Sequence, residues 1–227
     1  MQTNGIEQLA AEIGEMILAA RGLTPANGES TFRVNMAAPD ARWNRRQVAG
    51  LIDHTILRPE AARSDILQLC AEAREFGFAS VCVNPYWVPT AFAALRGSGI
   101  PVCTVNGFPF GMTSTPAKVA EAEIAIRTGA REVDMVLNVG AMKSGDLDTV
   151  KLDIQAMAEC CHRGGAILKV ILETALLTDN EKAVACVLAK MAGADFVKTS
   201  TGFAKSGATA RDVALMRKVV GAELRSE

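Results

Sequence analysis

Only two histidines, His54 and His162, occur in 227 residues, and none of the six cysteines belongs to a CxxC pair. A zinc site is therefore not expected. The cysteines, at 70, 82, 103, 160, 161 and 186, mostly interrupt apolar runs and read as reduced, buried thiols rather than a disulfide frame. An excess of one charge is missing too: 24 basic residues face 25 acidic ones, and a net charge of −1 gives no broad basic face for nucleic acid or anionic lipid. No apolar run approaches the roughly 18 residues of a spanning helix. Glu7, Glu12 and Glu15 stand where a signal or transit peptide would be basic or acid-poor. The expected setting is the cytoplasm, with neither a nucleic-acid nor a membrane partner. No GxGxxG or Walker loop follows the first strand run, which argues against a nucleotide-binding open sheet.

What is present is a globular composition, 49% apolar and 22% charged, long enough for one large α/β domain or two small ones. Ile6, Leu9, Ile13, Met16 and Ile17 fall on one face of a helix over 6–21, which Gly22 stops; docking on the main body is its expected role. Residues 23–47, with Pro25, Gly28, Pro39 and the cluster Arg42, Trp43, Arg45 and Arg46, lack periodicity and read as a connecting segment with a solvated basic face. The division expected is 1–47 as an extension and 48–227 as the main domain.

From residue 51 the chain is regular. Strand-like runs LIDHTIL, ASVCVN, PVCTVNGF, EVDMVLNVG, ILKVILET and DFVKTSTGF begin at 51, 79, 101, 132, 167 and 195. Amphipathic helices separate them: Ser64 precedes the stripe Leu67, Cys70, Ala73 that ends at Gly77, and Thr115 and Pro116 precede Val119, Ala122 and Ile126 before Gly129. Thr178 and Glu181 form a capping box. Apolar strands alternating with helices call for a covered parallel sheet, an open doubly wound sheet or a closed barrel.

Charges in the strands carry the chemistry. Of nine lysines, only Lys169 and Lys198 interrupt strand runs, and Asp134 does so one strand earlier. Buried charge is costly without a partner or a task, so three such groups on consecutive strands are expected to share one interior site, near the carboxyl ends of a barrel's strands. A salt bridge filling the barrel accounts for one lysine and one aspartate, but not for the second lysine. Burial and mutual repulsion both favour the neutral amine, which makes one lysine a nucleophile. The expected class is a metal-free, cofactor-free lyase working through an imine, with Asp134 moving protons.

The runs LIDHTIL, SVCVNP, EVDMVLNVGAMKSGD, LKVILETALL and ADFVKTSTGF, in this order over about residues 48–220, resemble the deoxyribose-phosphate aldolase family. The resemblance implies a TIM (β/α)8-type barrel and reversible cleavage of 2-deoxy-D-ribose 5-phosphate, a small phosphorylated sugar, to acetaldehyde and D-glyceraldehyde 3-phosphate in deoxyribonucleotide catabolism. It implies that Lys169 forms the Schiff base, that Lys198 is the second lysine and that Asp134 is the acid/base group. By the same resemblance Asp53 connects to Lys198, Cys82 lies near the substrate and Gly202, after the sixth strand, lines the phosphate pocket; Thr199 is a further candidate for binding substrate, and Lys205 adds a charge. The plainer readings of Cys82 as a small buried hydrophobe and of Lys205 as a solvated loop lysine stand beside these. Family members are often dimers, so a homodimer is among the expectations.

The departure from the family is at the carboxyl end. Six strand runs are found where a barrel needs eight, and the family's GGIR segment and final glycine- and serine-rich strand end have no counterpart. After Thr201 one helix is expected, capped by Thr209 with Val213, Leu215, Met216 and Val219 as its apolar surface, and the chain stops where strand seven would begin. The expectations are an incomplete barrel of about six βα units with open edges and weak activity on phosphorylated sugar. The alternatives are a catalytically weak or inactive remnant of the fold and another imine-forming aldolase. Whether the chain is a fragment, a truncated product or one completed by a second chain stays open.

Overall fold

The structure is a computed structural model in which residues 44–221 and 224–226 are described. The expected helix over 6–21 and the connecting segment as far as residue 43 lie outside the described residues. The chain opens on a short helix α1 (Arg45–Ala49), capped by Asn44 and Gln47 accepting from each other's backbone N–H groups. Arg45 and Arg46 are exposed on it, as a solvated basic face requires.

Each of the six strand runs forms a strand: β1 (Asp53–Ile56), β2 (Ser80–Val83), β3 (Val102–Asn106), β4 (Ala130–Val136), β5 (Ile167–Ile171) and β6 (Phe196–Lys198). A two-residue β7 (Arg225–Ser226) also pairs with β6, through Phe196 with Arg225 and Val197 with Ser226, so a seventh strand begins where none was expected. All neighbours are parallel and the sheet runs β1-β2-β3-β4-β5-β6-β7 in chain order. Helices α2 (Arg63–Phe76), α3 (Val88–Ala94), α4 (Thr115–Thr128), α5 (Val139–Lys143), α6 (Leu147–Arg163), α7 (Asp179–Met191) and α8 (Ala210–Val220) supply the crossovers. This is the α/β, TIM-type arrangement, with β1 and β7 paired on one side only among the described residues. None of the described helices is long and apolar enough to cross a membrane.

The helix signals work through ordinary capping. Thr178 and Glu181 cap α7 as a box, Thr209 caps α8, and Gly77, at φ 72°, takes the left-handed turn after α2 that a side chain would resist. Ser64, however, is not the opener of α2: the helix starts at Arg63, and Asp65 accepts from the N–H of Ala62. The buried stripe is accordingly Ile66, Leu69, Cys70 and Ala73, with Leu67 turned outward.

Strand alternation then decides what faces inward. Val81 and Val83, Val133 and Met135, Leu168 and Val170, and Val197 all join the apolar layer between sheet and helices. Each large side chain fully buried there contributes on the order of 1.5–3 kcal/mol. With a period of two, their neighbours Ser80, Cys82, Glu132, Asp134, Lys169, Phe196 and Lys198 must point to the concave side. A small apolar cluster of Cys82, Cys103 and Val105, with Leu57 and Phe108 against it, fills part of that interior. All six cysteines are free and buried. Burial pushes Cys70 up to about 11 and Cys161 and Cys186 to about 12, so these thiols stay protonated and act as packing groups.

Candidate active site

Register sets the polar cluster. Asp134 on β4 lies directly beside Lys169 on β5, and Ile171, one inward position further along β5, lies beside Lys198 at the end of β6. Lys198 thus sits a layer nearer the carboxyl end of the sheet, and its side chain is 19% exposed against 3% for Lys169. Asp134 joins them: its Oδ2 accepts from Lys198 Nζ at 2.9 Å, and its Oδ1 is 3.6 Å from Lys169 Nζ and accepts from Cys103 Sγ at 3.1 Å.

Asp53 on β1 closes the cluster from the far side of the concave face. Its Oδ2 accepts from Lys169 Nζ and is 3.9 Å from Lys198 Nζ, while its Oδ1 accepts from Ser80 Oγ at 2.6 Å. Asp53 therefore connects first to Lys169 and only at longer range to Lys198, because Lys169 is the deeper of the two. Glu132 Oε2 lies 2.7 Å from Lys169 Nζ. Three carboxyl groups thus surround two lysine side chains, with Lys169 at the centre.

The carboxylates are held differently. Burial raises the pKa of Asp53, but the Lys169 charge and the hydrogen bonds from Lys169 and Ser80 outweigh it and leave the group below its ordinary value. Glu132 is shifted upward: burial dominates, Asp53 and Asp134 add to it, and Lys169 only partly offsets them. Burial, with Cys82 and Asp134 beside it, raises the Cys103 thiol well above its usual range.

A family profile described as DeoC/LacD family aldolase matches residues 47–223. The chain belongs to this family of aldolases. A curated deoxyribose-phosphate aldolase of Brevibacillus brevis is 60% identical over 170 residues, covering 75% of this chain and 76% of the relative. One of Streptococcus gordonii is 55% identical over 173 residues, covering 76% and 78%. Among solved structures, one from Coccidioides immitis, described as a candidate deoxyribose-phosphate aldolase, superposes with TM-score 0.79 at 36% identity, covering 96% of this chain and 93% of that one. The tetrameric deoxyribose phosphate aldolase of Aeropyrum pernix gives TM-score 0.68 at 27% identity, covering 81% and 88%.

In this DeoC/LacD-family aldolase, then, the expected residues Asp53, Cys82, Asp134, Lys169 and Lys198 come together on the concave face. Thr199, Gly202 and Lys205 follow along the connection from β6 to α8. Thr199 is buried and its carbonyl accepts from Thr174 N–H at 2.9 Å; Gly202, at φ 82°, and Lys205 are exposed. Past the ends of β4, β5 and β6 lies a cavity of about 490 Å³ whose walls include Pro109, Val136, Glu173, Thr201, Phe203 and Lys205.

Glu132, Cys103 and Ser80 were not picked out from the sequence. Glu132 carries a readable signal, since it stands two residues before Asp134 and must share its face. Ser80 and Cys103 carry none, being ordinary strand residues whose partners come from other strands. Two sets of three side chains, Cys82 with Cys103 and Asp134, and Asp53 with Cys103 and Glu132, bring ligand atoms within 4.8 Å of one another. A metal ion there would meet a protonated thiol and carboxylates already engaged by Lys169 and Lys198. The donor set suits amine chemistry better.

Proposed function

We propose that this aldolase reversibly cleaves 2-deoxy-D-ribose 5-phosphate to acetaldehyde and D-glyceraldehyde 3-phosphate, through an imine on Lys198. The observation that carries the reading is the paired lysines bridged by Asp134 on the concave face of the sheet. The motifs led to Lys169 as the imine-forming amine, and accessibility argues for exchanging the two roles. Lys169 is almost sealed among Asp53, Glu132 and Asp134, whose charges favour its protonated form; Lys198 is open toward the strand ends. A nucleophile must be both deprotonated and reachable. Lys169 then serves as the fixed cation beside it.

The steps follow from this arrangement. The neutral Lys198 amine adds to the sugar aldehyde, a proton passes to the carbinolamine oxygen, and water leaves to give the protonated imine. Asp134, within hydrogen-bond reach of Lys198 Nζ, is placed to carry that proton. Removal of the proton from the hydroxyl two carbons away breaks the intervening carbon–carbon bond, and the electron pair passes into the imine as an enamine. The phosphorylated aldehyde departs; protonation of the enamine carbon and attack of water return acetaldehyde and the lysine. Lys205, in the wall of the cavity past the strand ends, offers a positive charge to the phosphorylated end.

The buried, unpaired cysteines fit a reducing, cytoplasmic setting, and a homo-oligomer, as in the tetrameric Aeropyrum pernix relative, is part of the same proposal. Incubation of the full chain with deoxyribose 5-phosphate, with acetaldehyde release read by a coupled dehydrogenase, tests the reading. Turnover that disappears in Lys198→Met is expected; no acetaldehyde from the unsubstituted chain would overturn it.

A further inference from the structure

Two residues beyond β5, Glu173 takes φ 55° and ψ 64°, the one non-glycine positive φ among the described residues. Such a conformation is strained for a residue with a side chain and persists only where the surroundings fix it. Here the groups bonded to its side chain belong to the segment after β6. Glu173 is 4% exposed, and its Oε2 accepts both the Thr201 N–H, at 3.2 Å, and the Thr201 hydroxyl. Thr201 Oγ1 accepts in turn from Phe203 N–H at 3.0 Å, and the next residue, Thr174, donates its N–H to Thr199 O at 2.9 Å.

These bonds continue the pairing of β5 and β6 past the strand ends and lock residues 199–203, which begin directly after Lys198. The other oxygen of Glu173, Oε1, is buried with no hydrogen-bond partner among the described residues. Burying a half-satisfied carboxylate is costly. The cost falls where stiffness matters to binding: Glu173, Thr201 and Phe203 together form one wall of the cavity beyond the strand ends.

We propose that Glu173 is a positioning residue for the phosphorylated end of the substrate, acting through Thr201 to hold the backbone of residues 199–203 in its binding shape. This rests on the cleavage reaction above. It makes a division that a general structural role does not: acetaldehyde has no phosphorylated end, so its imine on Lys198 needs nothing from Glu173.

The test uses the full chain and the variants Glu173→Ala, Thr201→Val and Glu173→Gln. KM and kcat for deoxyribose 5-phosphate are measured beside the rate of borohydride-trapped acetaldehyde adduct. Losing the clamp is expected to raise KM about tenfold in Glu173→Ala and Thr201→Val, the equivalent of about 1.4 kcal/mol, with kcat and trapping nearly unchanged. Glu173→Gln keeps an acceptor oxygen for Thr201 and is expected to stay within about threefold of the parent KM. If Glu173→Ala fails to fold, Thr201→Val gives the same reading. Equal losses of trapping and turnover, or an unchanged KM in both clamp variants, would overturn the proposal. A parent chain that neither traps acetaldehyde nor cleaves the sugar would instead refute the reaction itself.

Discussion

Replacing Asp134 by asparagine keeps the shape of the side chain and removes a buried charge that lies against both lysines. Asp134 is 1% exposed, 2.9 Å from Lys198 Nζ and 3.6 Å from Lys169 Nζ. At an effective dielectric near 20 these distances correspond to about 6 and about 5 kcal/mol of attraction. Most of that is offset by the desolvation of the groups, and removing one partner of such a buried set leaves a net loss of about 3–5 kcal/mol. In a domain of this size the loss lowers the melting temperature by on the order of 10 °C. Losing a positioned proton carrier lowers kcat by about 10²- to 10⁴-fold. Steady-state cleavage of deoxyribose 5-phosphate and a thermal melt of the same sample read the two effects. Asp134→Asn with kcat within threefold of the parent and an unchanged melt would refute the reasoning, because neither proton transfer nor charge balance would then depend on Asp134.

Two further outcomes concern ion pairs away from the cluster. Lys182 Nζ donates to Asp212 Oδ1 at 2.6 Å between α7 and α8. Burial alone would raise Asp212, yet hydrogen bonds from Lys182 and Thr209 hold its pKa below the ordinary value, so its stabilisation exists above about pH 4 and fades as pH falls through the lower folded value. Lys182 is shifted upward, burial being outweighed by its two aspartates, so its share fades only above its ordinary range. Asp212→Asn is expected to cost about 2–4 kcal/mol in urea melts at pH 7 and progressively less as pH is lowered below about 4; a cost that does not fall with pH would contradict this. Fully buried Lys118 bonds Asp153 Oδ2 at 2.6 Å and Val136 O at 2.9 Å. Lys118→Met leaves Asp153 uncompensated and should cost about 3–5 kcal/mol, most of it regained in Lys118→Met with Asp153→Leu; a single-variant cost under about 1 kcal/mol would show that the pair carries little.

The strands were legible because their apolar runs are short, repeated and separated by capped helices, and Lys169, Lys198 and Asp134 stood out as charges inside them. Glu132 is legible by the same alternation, two residues before Asp134 on the same face. What the sequence withheld depends on register: which lysine lies deeper, that Asp53 serves Lys169 before Lys198, and that Ser80 and Cys103 reach the carboxylates. Lys118 escaped notice for another reason. It lies in a helix, where a lysine is normally solvated, and only the inward face of α4 makes it a buried ion. Strand seven was missed because two residues carry no periodicity, and Glu173 because a left-handed backbone leaves no trace in residue type when the residue is not glycine.

The central claim is that the outer of two bridged lysines forms the imine. Treating the full chain with acetaldehyde and borohydride, digesting it and mapping the modified peptide by mass spectrometry tests this most directly. A reduced ethyl group on Lys198, absent when Lys198 is replaced by methionine, is the predicted result. An adduct on Lys169, or none on either lysine, would contradict the account.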